Sequence, residues 1–537
     1  MTPQKLCDQF YDLATVLTIR VTMAAHDWAA LKHAEPHGGR CNFGFVGERY
    51  DWFEAAQVEI SGSVFPAGGP HRFAQVGISK KSYCGSFSTT KPSLRLNFSR
   101  FLDTNEAAME ALVGTRYVTL HNCVQDPSYI RQPLGYDLFK QAGLPYSRSN
   151  YAHVYVNDAY QGLYLNCEPV KKRHVQNTFA NDQGNLYEIE CGEDLTVAMV
   201  DSGRIPSDGF SDVRDGADLR LAAQRIAEAG LAGAAEVIDL AQFTRFYAME
   251  TLLKHWDGYT GQVNNAYVYN DVVAVANPTI DTVNLRFIPW GLDQILQEQT
   301  RFNLDDDSIL GSLIRNDPAA LESVRAEIRA LLGSVFSRAN YDLRLNPLID
   351  RLKQTLITAG VTTAAADVEA VRRQVRLVRS GGYQLAGHPQ ESVSFLARGS
   401  DECLHASAGE TVGPHQEVYH HPLSASPSDR WFIRPAGADG DTLVNDQFGT
   451  HLHGDATTRT LGGNLNVYAV RFHPSDGNVY SLTPVDADSP FKVSGYLTLR
   501  GRGAASSVHF SETDLTAAGQ KQVHQSPPNQ ATVLQIY

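Results

Sequence analysis

One break in pattern constrains this chain more than any other feature. From about residue 215 to 380 the helical period of 3.6 is strong, as in "AALESVRAEIRALLGSVF" and "AAADVEAVRRQVRLVRS", with charges opposite an apolar stripe. At "SGGYQLAGHP" (380–389) that period vanishes and Gly, Ser, His, Thr and Asp rise among short strand-like runs. A chain of 537 residues exceeds what one core ordinarily serves, so the break is placed as a domain boundary: residues 1–380, then 386–537.

The first part is itself two-sided. "TVLTIRVTM", "AAQVEISGSVFP" and "KPSLRLNF" alternate and are rich in β-branched residues, which predicts strands over residues 15–100. Helices are expected at 105–113 and 127–143, and a hairpin turning at Asn157-Asp158. From about 215 helices dominate, interrupted by the strand-like pieces "NNAYVYND", "DVVAVAN" and "LRFIPW". The expected class is α+β, two lobes with a cleft, followed by an all-β domain. In that last domain "ECLHA", "THLHG" and "GYLTL" recur at near-equal spacing, and "DRWFIRP", "NVYSLTP" and "TVLQIY" close each unit. Three such units suit a three-fold β-trefoil, resembling ricin-type lectins and fascin-like modules. The expected ligand is a glycan or a protein, with a ligand-free stabilising appendage as the alternative. His405 and His453 fall at equivalent repeat positions, with His451 beside the second, which favours repeat architecture over a metal site.

The net charge of −13 argues against a nucleic-acid partner. No apolar run of membrane-spanning length is found, nor a basic segment leading into an apolar one at the N-terminus, so the expectation is a cytoplasmic protein without a membrane partner. The seven Cys are odd in number and show no Cys-x-x-Cys spacing, so neither a zinc site nor a disulfide framework is expected, and a reducing compartment fits.

The chemistry is carried by polar residues set in apolar surroundings. Asp257 follows the helical run "YAMETLLKHW", Asn264 and Asn265 follow in a loop, and Asp293 stands after the strand that ends at Pro289-Trp290. Asp and Asn are poor choices inside regular elements, so a turn, a buried pair or a metal ion must satisfy them. An Asp, then an Asn, then an Asp is also the order in which kinases place the residue that orients the acceptor hydroxyl and the two that bind metal. The "LDDDS" run (304–308) reads as a loop or helix start.

Five stretches in order resemble the CotH family, spore-coat protein H kinases with an atypical, two-lobed kinase-like fold: "VGISKKSYCGSFSTTKPSLRLNF", "DPSYIRQPLGYDLFKQAGLPYSRSNYAHVYVNDAYQGLYLNCEPV", "GNLYEIE", "DGYTGQVNNAYVY" and "FIPWGLDQIL". The resemblance covers about residues 15–380. It implies an ATP-dependent protein kinase, using Mg²⁺ or Mn²⁺, that acts on Ser or Thr hydroxyls of a protein, with the β domain as a targeting module. It implies Asp257 as the catalytic Asp, Asp293 as metal ligand and Asn265 as a second one. Lys91 or Lys81 would meet the phosphates, Lys91 being the closer motif match. Glu168 would shape the adenine pocket or serve as a salt-bridge partner. Trp290 would stack on the base or, the better expectation, fill core. Arg131 would pair with a buried carboxylate or lie in a helix-face bridge. Gly291 stands where the family has the first Asp of Trp-Asp-x-Asp, while Ser79 and Ser82 replace an Arg and a Gly and Asp158 replaces the hairpin Gly. These departures imply an alternative: a catalytically degenerate scaffold that binds or builds a coat or surface.

Overall fold

Alternation of apolar and polar residues forms the first strand, β1 (Val16–Thr22), whose Leu17, Ile19 and Val21 are buried while their neighbours face outward. The computed structural model describes residues 2–41, 45, 47–65, 69–386 and then 392–397, 402–412, 415–424, 426–435, 441–448, 451–454, 461–464, 470–475, 479–484, 496–500, 507–511 and 534–536. The chain divides into two units, Met1–Glu327 with Tyr341–Gln374, and Ile328–Asn340 with Val375–Tyr537.

In the first unit β1 joins β2 (Phe53–Ser61), β3 (His71–Lys80), β4 (Leu94–Asn97), β5 (Tyr117–His121), β6 (Ser149–Val156) and β7 (Ala159–Cys167). They close a barrel in the order β1-β2-β3-β4-β5-β7-β6, in which β6 returns to β1 in parallel and every other pair is antiparallel. Closure removes the exposed edges that an open sheet would offer. Ile19, Val58, Ile78, Leu96, Leu120 and Val154 fill the interior. Asn157 and Asp158 turn the β6–β7 hairpin at φ of 48° and 61°, the left-handed values that a tight two-residue turn needs. The helix Thr104–Val113 starts one residue before the first helical range read from the sequence and ends with it, and Arg131–Gln141 lies within the second.

Beyond the barrel, β8 (Leu186–Ile189), β9 (Ala266–Asn270) and β10 (Leu285–Pro289) form an antiparallel sheet in the order β10-β9-β8. The helix Leu240–Leu253 packs its aromatic face on β10, with Phe243 and Phe287 ring centroids 4.7 Å apart. The expected strand "DVVAVAN" does not form: after Asn270 the chain leaves the sheet, and Val273 and Val275 are exposed. β-branched residues favour strands only where a partner strand covers them.

Cys41 and Cys84 form a disulfide across 43 residues, correcting the expectation of none. Spacing reveals only local cysteine pairs, whereas this one is made by the chain's return through β2 and β3. Persistent disulfides belong to oxidising compartments, so cysteine usage no longer supports a reducing one. Among the described residues no helix is long and apolar enough to cross a membrane.

In the second unit the strands Phe395–Ala397, Glu402–Val412, His415–Pro422, Trp431–Pro435, Asp441–Asn445, His451–Gly454, Leu461–Asn464, Val470–Ser475, Val479–Pro484 and Leu534–Ile536 form one sheet. Tyr496–Arg500 pairs with Ser507–Ser511 apart from it. Trp431 is buried and donates its indole N–H to Leu404 O at 3.1 Å. His405 is held by Asp429 at 2.5 Å, a structural pairing.

Candidate active site

The helix Leu240–Leu253 ends because Lys254 turns left-handed, at φ 53°. The chain then swings through Asp257 into a loop that rejoins the sheet at β9. Asp257 is half-buried, and its carboxylate is fixed by amides. Asn264 Nδ2 donates to Oδ1 at 3.0 Å, Asn265 Nδ2 to Oδ2 at 2.9 Å and Gln294 Nε2 to Oδ2 at 3.5 Å. Asn265 Nδ2 also reaches the Asp257 carbonyl at 2.8 Å. The Asn pair is thus explained as the clamp on Asp257.

Asn265 is held in turn by the other strand end, where Trp290 N–H donates to its carbonyl at 3.0 Å. Its amide lies over Gly291: a Cβ there would stand 2.1 Å from Asn265 Oδ1. Gly291 also has φ of 57°, where a side chain is strained. The glycine that replaces the family's Asp therefore makes room for Asn265. With its nitrogen committed to Asp257 and its oxygen set over Gly291, Asn265 is placed as a clamp.

Asp293 sits on the 3₁₀ turn Leu292–Gln294 that follows β10. The turn is pressed onto the helix Arg131–Gln141 at Gly135, where a Cβ would come within 2.7 Å of Ile295 Cδ1. Half-buried Asp293 has its carboxyl pushed up to about 7, first by burial and then by the charges of Asp126 and Asp257. Among the described residues it has no ion pair. Asp126 is buried and accepts from Arg131 N at 2.9 Å, Arg131 Nη1 at 2.6 Å and the Ser128 hydroxyl. Burial raises the Asp126 carboxyl above its usual range even against Arg131. Arg131 thus meets a buried carboxylate, and Asp126 enters the site as an acid that no motif singled out. Of three neighbouring acids, one is neutralised by Arg131 and one is clamped by amides, while Asp293 has only a backbone hydrogen bond and the charge of His255 to offset its burial. Among the described residues no group of three or more His, Cys, Asp or Glu is arranged to hold a metal ion.

The two lysines differ. Lys81, just past β3, holds its ammonium over the Trp290 ring, 5.4 Å from the centroid, and burial pushes its pKa down while Glu188 opposes the shift. Among the described residues it has no ion pair. Its charge adds to burial in holding the His121 imidazole down to about 3. Lys91 donates to Leu163 O at 2.7 Å and Tyr129 Oη at 3.0 Å, between the Tyr129 and Tyr164 rings. That ammonium is committed to tying its loop to β7. Of the two ammonium groups, Lys91 is thus the one held by hydrogen bonds and Lys81 the one set over an aromatic face.

Trp290 is buried, edge-on to Tyr267 at 5.8 Å and tilted on His121 at 5.8 Å, so it forms a floor under Lys81. Glu168 is buried between Arg148, at 2.9 Å, and His174, at 3.6 Å. Burial would raise its carboxyl, but His174 and Arg148 hold it down to about 2. Arg148 also grips Asp8 at 2.6 Å, so Glu168 is a salt-bridge partner that ties the N-terminal helix to the barrel.

The structure brings Asp257, Asn264, Asn265, Gln294, Asp293 and Asp126 together, while Lys81 lies over Trp290, where Glu188 and Glu190 are the acids that act on it. No curated protein matches the chain. A family model described as "CotH kinase protein" matches residues 82–358, just over half of the chain, spanning Lys91 to Asp293 and beginning one residue after Lys81.

Proposed function

This chain belongs to the CotH kinase family, and on that premise we propose that it transfers the terminal phosphoryl group of ATP, with Mg²⁺ or Mn²⁺, to Ser or Thr hydroxyls of a protein. One observation carries this reading: the amide-clamped Asp257 carboxylate beside the Asp293 carboxylate. Asp257 accepts the hydrogen bond of the acceptor hydroxyl and takes its proton as the new bond forms. Asn264, Asn265 and Gln294 keep it from rotating away, which converts an encounter into a positioned reaction. Asp293 would hold the divalent cation, one or two protein carboxylates being usual for Mg²⁺ at a nucleotide. Lys81, whose ammonium lies over Trp290, would meet the α/β-phosphates. When bound, the cation spreads the charge that gathers on the transferred group.

Residues 1–380 form the kinase domain and 386–537 a three-repeat, trefoil-like module that binds a glycan or a protein and directs the enzyme to its substrate. Neither nucleic acid nor a membrane is a partner. The Cys41–Cys84 disulfide favours an oxidising compartment over the cytoplasm.

A degenerate scaffold is the second reading. It is favoured by the amides already on both Asp257 oxygens. Thermal unfolding separates the two, because a ligand of the native state raises Tm with its concentration. ATP with Mg²⁺ is expected to raise the Tm of the wild type, and Lys81→Ala and Asp293→Asn are expected to abolish the rise. Without ligand, Asp293→Asn is expected to be neutral or slightly stabilising, since it removes a repelling charge. A Tm indifferent to nucleotide but raised by a glycan establishes the scaffold. A drop of several degrees for Asp293→Asn with nucleotide binding intact makes Asp293 structural.

A further inference from the structure

Glu250 lies on the last turn of the helix Leu240–Leu253, its side chain 1% exposed. Among the described residues no Lys or Arg pairs with it. A buried carboxylate without a cation is costly unless hydrogen bonds replace its water. Here they come from the loop that carries Asp257. Tyr259 N–H donates to Oε1 at 3.0 Å, and Thr260 gives Oε2 its N–H at 2.9 Å and its hydroxyl at 2.7 Å. His255 Nδ1 lies 3.3 Å from Oε1, and His255 N–H donates to the Glu250 carbonyl at 2.9 Å. The loop passes so close that a Cβ on Gly258 would stand 2.2 Å from Glu250 Oε1 and 2.6 Å from His255 Nδ1. The flank of Asp257 that follows it is therefore fixed to the Glu250 carboxylate through Tyr259 and Thr260, and the flank that precedes it to the Glu250 carbonyl through His255 N–H.

We infer that Glu250 is the positioning residue for Asp257: it sets the backbone from which that carboxylate reaches the acceptor hydroxyl. This inference rests on the phosphotransfer reading. Glu250 touches neither nucleotide nor acceptor, so its loss acts on the chemical step and spares nucleotide binding.

Glu250→Gln keeps the size but turns an NH₂ toward N–H donors that need an acceptor. With labelled ATP and a Ser-rich protein, the variant is expected to lose roughly 30-fold or more in kcat, with KM for ATP and the ATP–Mg²⁺ rise in Tm changed less than about twofold. Amide exchange of Tyr259 and Thr260 is expected to quicken at least about tenfold while the amides of β9 keep their protection. Wild-type kcat in the variant, or unchanged exchange at Tyr259 and Thr260, overturns the inference. Exchange that quickens equally in β9 shows a merely structural role and overturns it too. Should Glu250→Gln fail to fold, Thr260→Val removes one donor, and a several-fold loss of kcat at constant KM is expected; no loss overturns the inference. A wild type that binds ATP but transfers nothing defeats the phosphotransfer reading, whereas the exchange measurement still reports whether Glu250 fixes the loop.

Discussion

Glu193 illustrates at residue scale how burial writes a pH dependence into this fold. Burial first, and Glu190 second, push its carboxyl from 4.5 up to about 7. A folded pKa above the unfolded one means that the native state binds the extra proton, so stability is full below about pH 4.5 and is lost as pH rises through 7. Glu193→Gln should remove that loss, raising Tm by roughly 2–6 °C at pH 8 and little at pH 5. Unfolding curves at the two pH values test this; equal shifts at both would show that charge is not the cause. Asp257, Asn265 and Asp293 were legible in the sequence because polar residues in apolar segments need partners. Asp126, Glu250 and Gln294 were not, because what marks them is proximity through space across separate elements. The difference in surroundings between Lys81 and Lys91 was illegible for the same reason: Trp290, Tyr129 and Leu163 make it, and all are distant in sequence. Gly291 read as a lost ligand, whereas its φ and the Asn265 amide above it show a position that only glycine fits without strain.

Elements with a strong period were the readable ones. The helices around residues 110 and 135, the hairpin at Asn157-Asp158 and strands β9 and β10 follow from apolar spacing and turn residues. The parallel β1–β6 pairing that closes the barrel has no local signal, since it joins segments about 135 residues apart. "DVVAVAN" carried a local signal without a partner strand and stayed irregular. The Cys41–Cys84 bond belongs to this scale because it joins the two loops flanking β2 and β3. Closing 43 residues restricts the unfolded chain and stabilises by about 4 kcal/mol on the loop-entropy estimate. Cys41→Ser, or a thiol reductant, should therefore lower the Tm of the first unit by several degrees. An unchanged Tm would mean that these loops are held without the bond.

The chain divides into two compact units. Trp431 fills the second unit, and Trp431→Ala should cost it about 3–5 kcal/mol while the ATP–Mg²⁺ rise in Tm of the first unit persists. Calorimetry resolves the two; loss of the nucleotide response would tie the units energetically. The catalytic proposal for the first unit rests on Asp257 acting as base, a role worth about 10²–10⁴-fold in rate. It is tested by incubating wild type and Asp257→Ala with labelled ATP, Mg²⁺ and a Ser-rich protein, and quantifying phosphoserine. Transfer by the wild type and a loss of at least about a hundredfold in the variant are expected; no transfer by the wild type, or equal transfer by both, would contradict it.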